Sequence, residues 1–421
     1  MVDNGKPILL SANSQNDDKY YVQRAIDQLK SSGGGHLILS GGTFYTGSLQ
    51  LCSNLHLTVE ADAKLVFSDD RHYYPVITSR WEGKETSLYR ACLFADQVSD
   101  VILDGSGVIN GNGFSWWKEF HEKNKQVDHA RPYLLSIEHS QRIKIKDLQF
   151  INSPSWTLHP FDCNDCLIDG ISVKNPFDSP NTDGVDPESC HNLRIVNSVF
   201  DVGDDCIAIK AGTEDAFQKI SCENIVISNC NMLYGHGGVV FGSEMSGDIR
   251  NVTISNCTFT NTDRGIRFKT RRGRGGTIEN ITMDNVLCPI VMNLYYFCGE
   301  KGKDKIVWDK NPYPISAITP AIKHIRISQL SVMHIQSCVG LIYGLPEMPI
   351  EDISISNSSF YLDSNCSPKE PAMFAEAPKL SQKGFFIENT KNCRLSNIII
   401  SNNNDNAVFH NTANENLMLN L

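Results

Sequence analysis

The sequence predicts an all-β fold, a single right-handed parallel β-helix spanning about residues 40–410, with a short helix capping its start. Three observations predict it. First, one phrase recurs: a polar residue, then Ile, Val or Leu alternating with polar residues, then Asn, Asp or Gly. It reads SNLHLTV at Leu55, SDVILDG at Val101, QRIKIKD at Ile143, DCLIDGI at Leu167, HNLRIVN at Leu193, ENIVISN at Ile225, RNVTISN at Val252, ENITMDN at Ile281, KHIRISQ at Ile325 and EDISISN at Ile353, with a weaker copy near Leu395. Second, the central copies lie 24, 26, 32, 27 and 29 residues apart, a solenoid period too short for propeller blades. Third, the phrase has period 2, not the 3.6 that helical repeats require.

Each element follows in chain order. Residues 17–31, DDKYYVQRAIDQLKS, place Tyr21, Val22, Ala25, Ile26 and Leu29 on one helical face. Asp17 or Asp18 serves as N-cap and Gly33-Gly34-Gly35 ends the helix, the one convincing helix of the sequence. A solenoid leaves its ends open, so this helix is expected across the N-terminal end of the core. The coils then stack Ile, Val, Leu and Cys inward, with Cys206, Cys222, Cys230 and Cys257 in the core, while Asn at the corners supplies local backbone bonds. Three stretches interrupt the period: 71–90, 112–133 and the Lys- and Pro-bearing 299–317. The end, LMLNL, suits a last strand or cover.

Composition narrows the function. Apolar residues are 41% and charged residues 20% of 421, which excludes a disordered chain. The net charge of −10 argues against a nucleic-acid binder, although Arg271, Arg272 and Arg274 form a short basic run. No run of 18 apolar residues offers a membrane span. The first ten residues lack a basic, then apolar, leader pattern, which reads as cytoplasmic; secretion with a leader removed is the alternative. Fourteen cysteines in so long a chain do not make a disulfide scaffold, and the lone Cys163-x-x-Cys166 lacks a partner pair for zinc.

On a solenoid, equal offsets on successive coils fall on one face about 4.8 Å apart. Asp204 lies 11 residues after Leu193, and His236 lies 11 after Ile225; Asp183 lies 16 after Leu167, and Arg267 lies 15 after Val252. The register therefore gathers Asp183, Asp204, Asp205, His236, Arg267 and Lys269 into one patch. Crowded carboxylates raise one another's pKa, which suits acid–base work on a glycosidic bond. Arg267 and Lys269 alternate with Phe268 and point together if extended, a clamp for an anionic sugar. Turn-forming aspartates, a histidine at a tight corner and a calcium site on the carboxylates are the competing readings.

The same residues carry a family pattern. Asn181-Thr182-Asp183, Gly203-Asp204-Asp205, Gly235-His236-Gly237 and Arg267-Phe268-Lys269 resemble the four blocks of family 28 glycoside hydrolases, the polygalacturonase family. The resemblance extends from about residue 25 to 410. It implies inverting hydrolysis without metal or other cofactor. Asp204 would be the general acid, Asp183 and Asp205 would activate water, and His236 would tune the acid. Arg267 and Lys269 would hold the galacturonate carboxylate, and Asn181 would complete the binding set. GHGGVVFGSEMSG and SRWEG look like bacterial exo-acting members. Exo action needs a closed groove end, and 71–90 offers Arg80, Trp81 and Glu82 as a ligand wall, with Tyr73 and Tyr74 beside them; 112–133 offers Trp116 and Trp117. The expected partner is a galacturonate-containing oligosaccharide. Hydrolysis of rhamnogalacturonan or another decorated pectin, calcium-dependent elimination as in pectate lyases, and non-catalytic carbohydrate binding are the alternatives.

Overall fold

The computed structural model describes residues 6–12, 19–123, 127–287, 290–297, 299, 301–403 and 406–421. The chain is a parallel β-helix whose coils fall into two compact units. One comprises Met1–Ala208 with Leu233–Gly235, the other Ile209–Met232 with His236–Leu421.

In the first unit the repeated phrases pair in parallel, and their inward residues stack. One row runs Leu55, Val101, Ile143, Cys166 and Leu193; a second runs Leu57, Leu103, Ile145, Ile168 and Ile195. Every one of these side chains is buried. The sequence marker at Leu167 is thus one residue late. Cys166 takes the inward slot because a thiol is small and apolar enough for it, and Leu167 points away. Parallel pairing also begins earlier than residue 40, with Ile8–Ser11 beside Gly35–Ser40.

In the second unit the rows are Ile225, Val252, Ile281, Ile325, Ile353 and Cys393, and Ile227, Ile254, Met283, Ile327, Ile355 and Leu395. Cys393, not Leu395, is therefore the equivalent of the earlier markers. Met418–Asn420 pairs with the Arg394–Ser396 segment, so LMLNL does supply a last strand, beyond the expected limit at 410.

The corners explain the recurrent asparagines. The residue before each marker turns left-handed: Asn54, Asp100, Arg142, Asn192, Asn224, Asn251 and Asn280 all have φ near +60°. Asn and Asp reach this region at least cost among residues with side chains. Their amides also bond along the stack, Asn280 Nδ2 to Asn251 Oδ1 at 3.2 Å and Asn251 Nδ2 to Asn224 Oδ1 at 3.1 Å.

The cap helix α1 spans Tyr21–Ser31 and buries Val22, Ala25, Ile26 and Leu29 against the first coil. The helix starts four residues later than expected, with Tyr20 at the N-cap position and no side-chain cap bond there, so neither Asp17 nor Asp18, which lie outside the described residues, is the N-cap. Gly34 N–H bonds back to Leu29 O at 2.9 Å, with Gly33 and Gly34 at positive φ, which ends the helix. A second helix, α2, Phe114–Glu122, corrects the expectation of a single helix. It buries Trp116 and Trp117, and Arg71 stacks on Trp116 at 3.6 Å, so these tryptophans form the core of their own insertion. The stretch 71–90 contains an antiparallel hairpin, Val76–Trp81 with Lys84–Tyr89, turning at Glu82-Gly83 with both φ positive.

Twelve described cysteines are free, eleven of them buried. Among the described residues no helix is long and apolar enough to cross a membrane.

Candidate active site

In the first unit the two Asp blocks are built against each other by residues with no room for change. Gly184 N–H bonds to Asp205 O at 3.0 Å, and Thr157 N–H to Asp183 O at 2.9 Å, which fixes both segments on the coil ladder. A Cβ on Gly184 would meet Cys206 O at 2.3 Å, and one on Gly203 would meet Ser179 O at 2.4 Å. Both positions therefore require glycine. The buried Thr182 accepts from Gly203 N–H through its hydroxyl, at 3.3 Å, tying the block 181–183 to the block 203–205.

The result is a carboxylate cluster. Asp183, Asp204 and Asp205 each offer one oxygen, all within 4.8 Å of one another. Asp183 and Asp205 are buried, while Asp204 is half-buried. Asp204 Oδ1 accepts from Asp205 N–H at 2.9 Å, which orients its carboxyl. Three carboxylates this close repel one another, so a shared proton or a cation stabilises them. The set can therefore hold a proton for transfer or a hard cation. A second group of similar spacing, Asp96, Glu138 and His139, is used internally. His139 pairs with Asp96 at 2.7 Å, and Glu138 accepts from Ser79 and Ser136.

Asn181 sits in the left-handed region and presents Oδ1 to Arg131 Nη2 at 2.7 Å. Arg131 also donates to Pro154 O at 2.7 Å and Pro180 O at 2.8 Å, and stacks on Phe120 at 4.1 Å. Burial brings its pKa down to about 10, opposed by the charges of Glu82 and Asp183. Sequence reasoning missed this residue. Its one signal is an arginine preceding proline inside a stretch already singled out as an insertion.

The hairpin residues take different places than a ligand wall implies. Arg80 is 1% exposed, pairs with Glu188 at 3.3 Å and Glu85 at 3.4 Å, and lies over Phe161. Trp81 stacks on Tyr133 at 5.3 Å and Trp156 at 5.7 Å. Both fasten the hairpin to the coil beneath it. Tyr74 is buried likewise, edge-on to Trp116 at 5.3 Å. Glu82, at the turn, is exposed. Beneath the hairpin lies a buried polar group: His159 pairs with Glu188 at 3.1 Å, both fully buried.

In the second unit His236 lies within the strand Asn231–Gly242 and is exposed, so it does not occupy a tight corner. Arg267 Nη1 reaches His236 O at 3.5 Å. Phe268 points into the core at 0% exposure, and Arg267 and Lys269 project together from the opposite face. Lys269 lies 5.5 Å from the Tyr296 ring centre. Glu244 pairs with Lys210 at 3.1 Å in a buried position. Its pKa falls to about 2: burial raises it, and Lys210, Arg274 and Lys269 outweigh that. Sequence reasoning quoted this glutamate only inside a longer motif.

The arginine run is committed internally. Arg271 and Arg274 share Glu214, and Arg272 forks onto Glu347 at 2.6 and 2.9 Å. All three are buried, which leaves no open basic stripe there for a nucleic-acid backbone.

A model of glycosyl hydrolases family 28 matches residues 40–307. A Vitis vinifera protein named "Probable polygalacturonase" is 33% identical over 352 residues, covering 81% of this chain and 70% of its own. An Arabidopsis thaliana protein of the same description is 30% identical over 302 residues, 69% of this chain and 60% of its own. Among solved structures, an exopolygalacturonase of Thermotoga maritima superposes with TM-score 0.70 at 27% identity, over 90% of this chain and 86% of that one. A family 28 exopolygalacturonase of Yersinia enterocolitica shares the fold with TM-score 0.76 at 18% identity, over 98% and 78%. With its four sequence blocks, its β-helix and a family model matching more than half its length, this chain belongs to family 28 of the glycosyl hydrolases.

Proposed function

We propose that the chain hydrolyses α-1,4-galacturonosyl linkages in oligogalacturonides, acting from one chain end to release galacturonate. The carboxylate cluster Asp183, Asp204 and Asp205 is the observation that carries this reading. Asp204, the most exposed of the three, is the general acid that protonates the leaving oxygen. Asp183 and Asp205, held rigidly on the ladder, take the proton of the attacking water. His236, Arg267 and Lys269 receive their roles from the block pattern: His236 tunes the acid, and the two cations bind the uronate carboxylate.

Inversion rests on the family pattern. The cluster's oxygens approach within 4.8 Å, whereas inverting pairs commonly stand about 6.5–9.5 Å apart. That spacing alone suits a double displacement equally well, so NMR of the first-formed anomer decides the point. Action from a chain end is supported by the 76–89 hairpin, whose turn residue Glu82 acts electrostatically on Arg131, the partner of Asn181. In this reading Arg80 and Trp81 contact no substrate but fasten the hairpin, and its exposed turn at Glu82 is the part that would stop a chain from running through. The test is a product profile: galacturonate as the first product from every chain length supports the reading, and mixed oligomers refute action from the end.

A further inference from the structure

The second unit carries a cation with no assigned use. Residues on its outward face follow from register. Lys269 pairs with Asn293, Asn293 with Tyr343, and Tyr343 with Glu388, so these four share the face opposite Phe268. On the next two coils after Lys269, the Lys310 ammonium lies over three rings: 3.7 Å from the centre of Tyr295, which follows Asn293, 4.5 Å from Tyr343 and 5.5 Å from Phe374. Those rings are buried, while Lys310 itself is exposed.

The chain around Lys310 is anchored without it. Arg272, clamped by Glu347, donates to Ile306 O at 2.9 Å, Asp309 O at 2.6 Å and Asn311 O at 3.2 Å. The segment thus passes over the rings at a fixed height on both sides of position 310. Most structural lysines are held by a carboxylate. Here no carboxylate oxygen among the described residues comes within 4.0 Å, and the nearby Glu388 is bonded to His410 at 2.7 Å. Although the residue as a whole is exposed, desolvation of its ammonium over the rings brings the Lys310 pKa down to about 8; Glu388 opposes that, Arg272 adds to it and Glu376 opposes it. Such an ammonium is pre-positioned by π-faces, which orient a cation without consuming its charge as an ion pair does.

We propose that Lys310, on its platform of Tyr295, Tyr343 and Phe374, is a distal subsite for a carboxylate of a uronic-acid chain whose cleaved end lies at Arg267 and Lys269. The proposal rests on the galacturonide reading above and extends it. Arg267 and Lys269 serve the sugar at the cleaved end, so in this proposal Lys310 meets the carboxylate of a sugar further along, which the shortest chains lack. A free carboxylate bound to the ammonium by charge-assisted bonds gives the enzyme a preference for longer acidic chains.

The test compares kcat/KM of wild type, Lys310→Met and Lys310→Arg on di-, tri-, tetra- and hexagalacturonate. The Met variant should lose activity progressively with length, about tenfold more on tetragalacturonate than on digalacturonate. The Arg variant should recover most of it, and high salt should narrow the difference. An equal loss at all lengths would make Lys310 a structural pin and overturn the proposal, as would no loss at any length. Wild type active on all four chains with a length-independent Met variant defeats this subsite alone. Wild type inert on all of them defeats the galacturonide reading, and the subsite with it.

Discussion

Replacing Arg131 with methionine removes three bonds at once, to Pro154 O, Pro180 O and Asn181 Oδ1. Bonds from a charged donor are worth about 1.5–3 kcal/mol each, a gross loss of roughly 4.5–9 kcal/mol. Against this stands the cost of burying a guanidinium. The fall of its pKa from 12.5 to about 10 puts that cost near 3.5 kcal/mol at about 1.4 kcal/mol per unit. The net local loss is therefore about 1–5.5 kcal/mol, and we take roughly 3 kcal/mol as its central value. Stacked coils need not unfold in one step, so a global midpoint would blur this loss. Hydrogen exchange at the amides of residues 181–184 reads it locally, and 3 kcal/mol corresponds to about a hundredfold faster exchange. Lys at 131 keeps the charge but cannot fork to three acceptors, so it should fall between. Exchange in the Met variant within about fivefold of wild type would refute the claim that Arg131 braces the Asn181–Asp183 block.

Two further outcomes follow from the second unit. Lys269→Met should raise KM for oligogalacturonides more than it lowers kcat, by about tenfold or more; an unchanged KM would remove Lys269 from substrate binding. Glu244 has a folded pKa of about 2 against 4.5 for the free side chain, so its pairing stabilises fully above pH 4.5 and is lost as pH falls through 2. Glu244→Gln should therefore lose less stability than wild type between pH 5 and pH 2, by up to about 3 kcal/mol; identical acid slopes in urea unfolding would contradict the pairing.

Much of the fold was legible because the solenoid writes its period into local chemistry. Inward positions need branched apolar residues and corners need left-handed φ, so Ile, Val and Leu alternate with polar residues and Asn or Asp precedes most markers. The errors lie where chemistry is degenerate. Cys166 and Cys393 fill the same slots as Ile, and a pattern that looks for aliphatics slides to Leu167 and Leu395. The hairpin at 76–89 turns on Glu82-Gly83, a weaker signal than Asn-Gly, and its strands carry mixed polarity because they pack on a coil rather than stack in one. Helix α2 is hard to read from sequence because a run with two tryptophans resembles a ligand-facing loop as much as a helix face.

Site residues were legible in proportion to how local their pattern is. The carboxylate blocks and Arg267-Phe268-Lys269 are short and contiguous, and their glycines are fixed by contacts such as Gly203 against Ser179 O. Arg131 and Lys310 are single residues whose partners come from distant positions, Pro154 and Pro180 for one, Tyr295, Tyr343 and Phe374 for the other. No periodicity announces such a contact. Arg80 shows the converse: its charge suggested a ligand, and the structure spends it on Glu188.

The most direct test of the central claim is product analysis on digalacturonate, tetragalacturonate and polygalacturonate, with and without EDTA, alongside Asp204→Asn. The account predicts new reducing ends with galacturonate as first product, indifference to chelation, and a loss of at least about 100-fold in the variant. Products bearing a new double bond, activity abolished by EDTA, or an Asp204→Asn variant as active as wild type would contradict it.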